Sequence, residues 1–156
     1  MNIREIGVDE AELILPLLMH VQSIHAAAQP ERYVANASSD NVLTWLRGYL
    51  GEENVYALAF EADIGVVGYL LYVLEVRGDN PLIHTEIRLK LDQISVLPEF
   101  QRQGVATQLI QEMLTRGRAL GVKRSVVSYG TFNQASKAVM QSVGYEPLTV
   151  TAECPL

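Results

Sequence analysis

One stretch of the chain carries residue types and spacing suited to holding an anion. Ile94 to Pro98 reads as the end of a strand, Glu99-Phe100-Gln101-Arg102-Gln103 as a short polar turn, and Gly104-Val105-Ala106 as the opening of a helix. The first N–H groups of a helix have no partners within it, and the helix dipole places partial positive charge there, so a phosphate can rest against them. An ordinary strand-to-helix connection, in which glycine eases a tight turn, fits the same spacing equally well. The stretch is neither the G-x-x-x-x-G-K-S/T loop nor the G-x-G-x-x-G turn, which argues against the two best-known nucleotide-binding classes.

The elements around this unit can be read from periodicity. Asn2 to Ile6 is a short strand. Asp9 and Glu12 have the spacing of a capping box, and Leu13, Ile14, Leu17, Leu18, Val21 and Ile24 recur at helical steps, with Pro16 expected to kink that helix or delay its start. Ser38, Ser39 and Asp40 offer caps for a second helix that stops at Gly51. Val55 to Phe60 and Ile64 to Val76 read as a hairpin. From Glu86 the alternation is strict: Ile87, Leu89 and Leu91 point one way, and Glu86, Arg88, Lys90 and Asp92 the other. Beyond Asp92 the apolar residues Ile94 and Val96 fall on the formerly charged side, which places Asp92 at a core boundary. Gly104 to Leu120 is a helix ending at Gly121; Ser125 to Tyr129 is a strand. Thr131 with Gln134 forms a second capping-box pattern before a helix that ends near Gly144, and Leu148 to Ala152 supplies a final strand.

The chain's 156 residues suit one core, and hydrophobic residues at 49% against 19% charged exclude a disordered chain. Twelve Lys and Arg against eighteen Asp and Glu give a net charge of −6, which disfavours a phosphate backbone as partner and suits a cationic one. Cys154 is the sole cysteine, so an internal disulfide and a multi-cysteine zinc site are both excluded. Neither His20 nor His25 has a second ligand at metal spacing, and no metal is expected. Asp9, Glu10 and Glu12 interrupt the stretch where an export signal would lie, and the longest apolar run, Ile64 to Leu74, falls far short of the roughly 20 residues that span a bilayer. The expectation is a cytoplasmic protein with no membrane or nucleic-acid partner.

Gln101-Arg102-Gln103-Gly104-Val105-Ala106, led in by Val96-Leu97-Pro98-Glu99-Phe100, resembles the Q/R-x-x-G-x-G/A signature of the GNAT superfamily of N-acetyltransferases. Asn133, Ser136, Met140 and Gly144-Tyr145 are similar to that family's later asparagine, helix and glycine-aromatic pattern. The resemblance implies one domain over 1–156 with an α/β, GNAT-like fold: a mixed, mostly antiparallel sheet of six or seven strands flanked by about four helices. It further implies acetyl-CoA as cosubstrate. The cofactor-binding turn would open at Gln101, and the pyrophosphate would be held by the main-chain amides of Arg102, Gln103, Gly104, Val105, Ala106 and Thr107. The pantetheine would lie along Ile94, Ser95, Val96 and Leu97, and Asn133 and Ser136 would meet the CoA arm or an active-site water. As a helix cap, Asn133 fits equally well. Family members commonly carry a bulge in the strand before the turn, which no periodicity argument can locate.

Acetyl transfer to an amine needs a neutral nucleophile, a route for its proton and a donor for the oxyanion. By the resemblance, the donor is the main-chain N–H near Val96, and Asp92, four residues earlier, is the catalytic acidic residue or the ammonium anchor. The competing reading of Asp92 is a solvated strand face shared with Glu86, Arg88 and Lys90. Lys90 stands where histone-type members carry their base, and Met140 where many members carry a tyrosine acid; Tyr129 or Ser136 is the substitute acid. His25 is similar to a histidine, proline and aromatic pattern seen after the first helix in some members, which would place it in the acceptor pocket wall; a hydrogen-bonded structural histidine is the competing reading. Trp45 and Tyr49, four apart on a helix, read as packing. The expected activity is transfer of an acetyl group to a primary amine of a small molecule or protein by direct attack, with homodimerisation implied by the family alone. The alternative is a catalytically weakened CoA-binding sensor or assembly module.

Overall fold

The sheet is laid down in chain order. The computed structural model describes residues 2–156, in which β1 (Asn2–Ile6), β2 (Val55–Ala62), β3 (Gly65–Arg77) and β4 (Glu86–Val96) pair antiparallel and in sequence. The fifth strand, β5 (Ser125–Val127), runs parallel to β4 after a crossover through helix α3 (Val105–Ala119). Helices α1 (Leu15–Ala28) and α2 (Ser39–Leu50) cover one face; α3 and α4 (Gln134–Ser142) cover the other. The central strands are apolar on both sides: Ala57, Ala59, Tyr69 and Leu71 pack under α1 and α2, and Leu58, Phe60, Leu70 and Tyr72 under α3.

Three expectations are corrected. The described residues form a sheet of five strands, not six or seven, because Leu148–Ala152 does not pair. Leu148 is 71% and Val150 93% exposed, and no residue beyond Tyr145 packs into either core, so a strand there would have no apolar face to lie against. The Asp9–Glu12 capping box does not form. Gly7 precedes a 3-10 turn (Val8–Leu13) with no side-chain cap, and Glu12 pairs with Arg47 of α2 at 2.7 Å instead. Of the two effects expected of Pro16, the delayed start is the one found: it falls in the first turn of α1, which begins at Leu15, where the missing N–H costs no helical bond. The cap of α4 is Asn133, whose Oδ1 accepts from the Ser136 N–H at 3.0 Å, while Thr131 uses only its carbonyl, accepting from Gln134 Nε2. The expected Ser38 cap of α2 does form, with Oγ accepting from the Asn41 N–H at 3.4 Å.

Helix α3 lies close to β4 because Gly117 faces Leu89. A Cβ at 117 would come within 2.3 Å of Leu89 Cδ1, and Leu89 is itself buried. Gly117→Val is therefore expected to destabilise the fold by about 2 kcal/mol, the ordinary cost of overpacking, read as a lower urea midpoint with unchanged m value.

Candidate functional site

The phase switch at Asp92 has a structural cause. In the β3–β4 ladder Leu71 stands opposite Gln93 and Tyr72 opposite Leu91, so Asp92 is an extra residue, a β-bulge. The bulge keeps Leu89, Leu91, Ile94 and Val96 all on the α3 face despite their change of parity. It also puts Asp92 and Gln93 together on the opposite side. Asp92 Oδ2 accepts from the Tyr49 hydroxyl of α2 at 2.9 Å, and Gln93 Oε1 from the Tyr69 hydroxyl of β3 at 3.1 Å. Burial, and then the bond to Asp92, hold the Tyr49 phenol well above its ordinary range, so it remains a donor at neutral pH. Burial does the same for Tyr69.

Past the bulge, β4 parts from β5. The two strands are paired only where Leu89, Lys90 and Leu91 meet Ser125, Val126 and Val127; from Asp92 onward that edge of β4 has no strand partner among the described residues. The gap opens into a cleft of about 260 Å³. Asp92, Gln93 and Ile94 line it from β4, Asn133, Ser136 and Met140 from α4 and its cap, and Tyr129 from the segment after β5. His25 completes the wall, with Tyr33 at 5.0 Å between ring centroids and Phe132 edge-on at 5.8 Å. Burial lowers the His25 pKa, which keeps the imidazole neutral near pH 7.

Beyond the other end of this unpaired edge lies the polar turn. Pro98–Phe100 makes one 3-10 turn, Gln101 Nε2 donates back to the Val96 carbonyl at 3.0 Å, and Gln103 Nε2 to the Glu99 carbonyl at 2.8 Å. Arg102 (φ 60°) and Gly104 (φ 81°) are both left-handed, a backbone form that turns successive amides to one side. Among the described residues, no amide from Arg102 through Thr107 donates to a main-chain carbonyl. The first helical bond is Gln108 N–H to Gly104 at 2.9 Å, and no side chain caps α3. Six consecutive donors are thus left for an anion, a set that fits a diphosphate. The side chains of Ser95 and Val96 are buried, Ser95 Oγ donating to the Leu17 carbonyl at 3.1 Å, so these residues offer the cleft only main chain.

Residues 21–145 match the model of the acetyltransferase (GNAT) family. The chain belongs to that family. A human relative, N-acetyltransferase 8, is 31% identical over 100 residues, which make up 64% of this chain and 42% of that relative. Among solved structures, a mutant of the BH1408 protein from Bacillus halodurans superposes with a TM-score of 0.89 at 19% identity, covering 100% of this chain and 99% of the other. The aminoglycoside N-acetyltransferase AAC(6')-Iy in complex with CoA does so at 0.76 and 20%, covering 99% and 93%. Both share the fold. No group of three or more metal-ligating side chains occurs among the described residues, and no helix is long and apolar enough to cross a membrane.

Tyr49 is the site residue that helical spacing hides. Trp45 does stack on it, at 5.3 Å between centroids, but the phenol's other end reaches across to β4. The readable signal was a tyrosine rather than a phenylalanine on the inner side of α2, since a half-buried hydroxyl needs a partner. Tyr49→Phe in this GNAT chain is expected to lower stability by about 1 kcal/mol, seen in urea titration.

Proposed function

We propose that the chain transfers an acetyl group from acetyl-CoA to a primary amine by direct nucleophilic attack. One observation carries this reading: a single unpaired strand edge joins a carboxylate at its bulge to a run of unpaired amides beyond its far end. Asp92 to Leu97 spans about 17 Å at roughly 3.4 Å per residue, a length that suits an extended pantetheine arm. On this reading Arg102 through Thr107 hold the pyrophosphate by main chain, with Gln101 and Gln103 bracing the turn. Ile94 to Leu97 guide the arm, and Asn133 and Ser136 face it from α4.

The cosubstrate supplies an activated thioester acyl group; the chain supplies placement and proton handling. The attacking amine must be neutral and must shed a proton as its bond to carbon forms and the carbon–sulfur bond breaks. On this reading the acceptor is Asp92 Oδ1, the oxygen left free by the Tyr49 bond to Oδ2 on a residue that lines the cleft. The N–H near Val96 serves the developing oxyanion. Met140, buried at the cleft wall, has no proton to give, so the departing thiolate relies on Tyr129, Ser136 or solvent. The aminoglycoside acetyltransferases among the structural relatives support a small amine as acceptor, with a protein amine as the other form of the same chemistry. A cytoplasmic location fits the lone Cys154, and a homodimer fits the family.

The test is acetyl-CoA-dependent thiol release across a panel of amines, run beside thermal melts with CoA. Release with stabilisation is the expected result. The buried Met140 favours a second reading, a CoA-binding module without turnover, for which stabilisation alone would stand. No stabilisation and no release removes both.

A further inference from the structure

The bulge brings two polar side chains to one place. Consecutive strand residues normally project to opposite faces, yet Asp92 and Gln93 are both tethered by tyrosine hydroxyls on the α1–α2 side and both line the cleft. Each tether occupies one end of the side chain. Tyr49 takes Asp92 Oδ2 and the fully buried Tyr69 takes Gln93 Oε1, so Asp92 Oδ1 and the Gln93 NH2 group remain without a hydrogen-bond partner among the described residues. The two α-carbons are about 3.8 Å apart. The cleft therefore presents a carboxylate acceptor and an amide donor side by side, each held in one orientation.

We infer that Gln93 is a specificity-determining residue, and that the Asp92–Gln93 pair selects amines bearing a hydroxyl or carbonyl oxygen on the neighbouring carbon. The inference rests on the amine transfer proposed above. The amine N–H meets Asp92 Oδ1 while the vicinal oxygen accepts from Gln93 Nε2. A plain alkylamine fills the same space and leaves the Gln93 donor unpaired, and a site built around a hydrogen bond discriminates against the analogue that lacks it. Amino alcohols, amino sugars and the α-amine of a peptide share this chemistry.

The experiment compares kcat/KM for 2-aminoethanol, glycinamide and n-propylamine with acetyl-CoA, in the wild-type chain and in Gln93→Leu. Taking each preference as a ratio between wild type and variant cancels the different basicities of the amines. Because Gln93→Leu strands the Tyr69 hydroxyl, the double variant Tyr69→Phe/Gln93→Leu is measured as well. The preference for at least one oxygenated amine over n-propylamine is expected to be about tenfold or more greater in the wild type than in either variant. Preference for 2-aminoethanol alone assigns the hydroxyl class, and for glycinamide alone the peptide-like class. A preference that is the same in the wild type and in the variants overturns the inference and leaves acetyl transfer standing. If none of the three amines releases CoA, the transfer reading fails for small amines. The Gln93 side-chain amide resonances then decide: a shift with 2-aminoethanol and not with n-propylamine, CoA present, supports the pair as a binding site, and equal or absent shifts overturn it.

Discussion

Asp92→Asn is expected to lower kcat by about 100- to 1,000-fold, the usual contribution of a positioned general base, while the CoA dissociation constant stays within about twofold. Asparagine is nearly isosteric with aspartate, and its amide oxygen can take over the hydrogen bond that Oδ2 accepts from Tyr49, so the bulge and the β3–β4 register have no reason to move. The change falls on the other end of the side chain. There a charged acceptor becomes an NH2 donor, which opposes the N–H of an incoming amine instead of receiving it. The amides proposed to hold the phosphate begin at Arg102, ten residues further along the chain, and share no hydrogen bond with Asp92. Thiol release and calorimetric CoA titration on the same preparation separate the two effects. Wild-type turnover in Asp92→Asn would remove this carboxylate from the mechanism, and a matching loss of CoA affinity would reassign it to architecture.

Much of this arrangement was legible in the chain, and what was hidden had physical reasons. The reversal of apolar parity between Leu91 and Ile94 is the bulge written as hydrophobic pattern. It marked Asp92 as a boundary without revealing that one inserted residue was the cause, because an extra residue and a change of buried face give the same alternation. The polar turn and α3 are local, set by glycine and helical periodicity, and were placed within a residue. The Tyr49–Asp92 bond joins residues 43 apart, and only the docking of α2 on the sheet makes it. Capping patterns misled at Asp9 and Thr131 because a box needs its residue at the point where the helix starts. Gly7 and Asn133 hold those points instead. The Leu148–Ala152 pattern has strand propensity, but propensity cannot supply a face to bury.

The sheet therefore sets the site by where its pairing fails. Three registered pairs fix β5 on β4, and beyond them the bulged β4 continues toward the turn paired with β3 alone. The packing of Gly117 against Leu89 then anchors α3, and with it the amides of its first turn, to the same strand. A substitution at this contact reaches CoA binding only through the placement of α3, which separates it from changes in the turn itself.

Gly104→Val is the substitution expected to act on the turn directly. Gly104 sits at φ 81°, where a β-branched residue is a steric outlier, whereas a Cβ there would meet only Gln108 Nε2 at 3.7 Å. The penalty is therefore conformational, and the turn can relieve it only by rotating out of the left-handed form. That rotation takes the amides around Gly104 off their common direction. Losing one or two such bonds to a charged diphosphate, at about 1.5–3 kcal/mol each, corresponds to a CoA dissociation constant raised at least about tenfold. Gly121 supplies the control. It also has positive φ, 78°, with open space around its missing Cβ, but it lies at the opposite end of α3. Gly121→Val should show a comparable fall in melting temperature with CoA affinity unchanged. If the two variants lose CoA affinity equally, the effect belongs to general destabilisation of α3 and the turn loses its claim to the diphosphate. If Gly104→Val binds CoA as the wild type does, the amides from Arg102 through Thr107 are not where the anion rests.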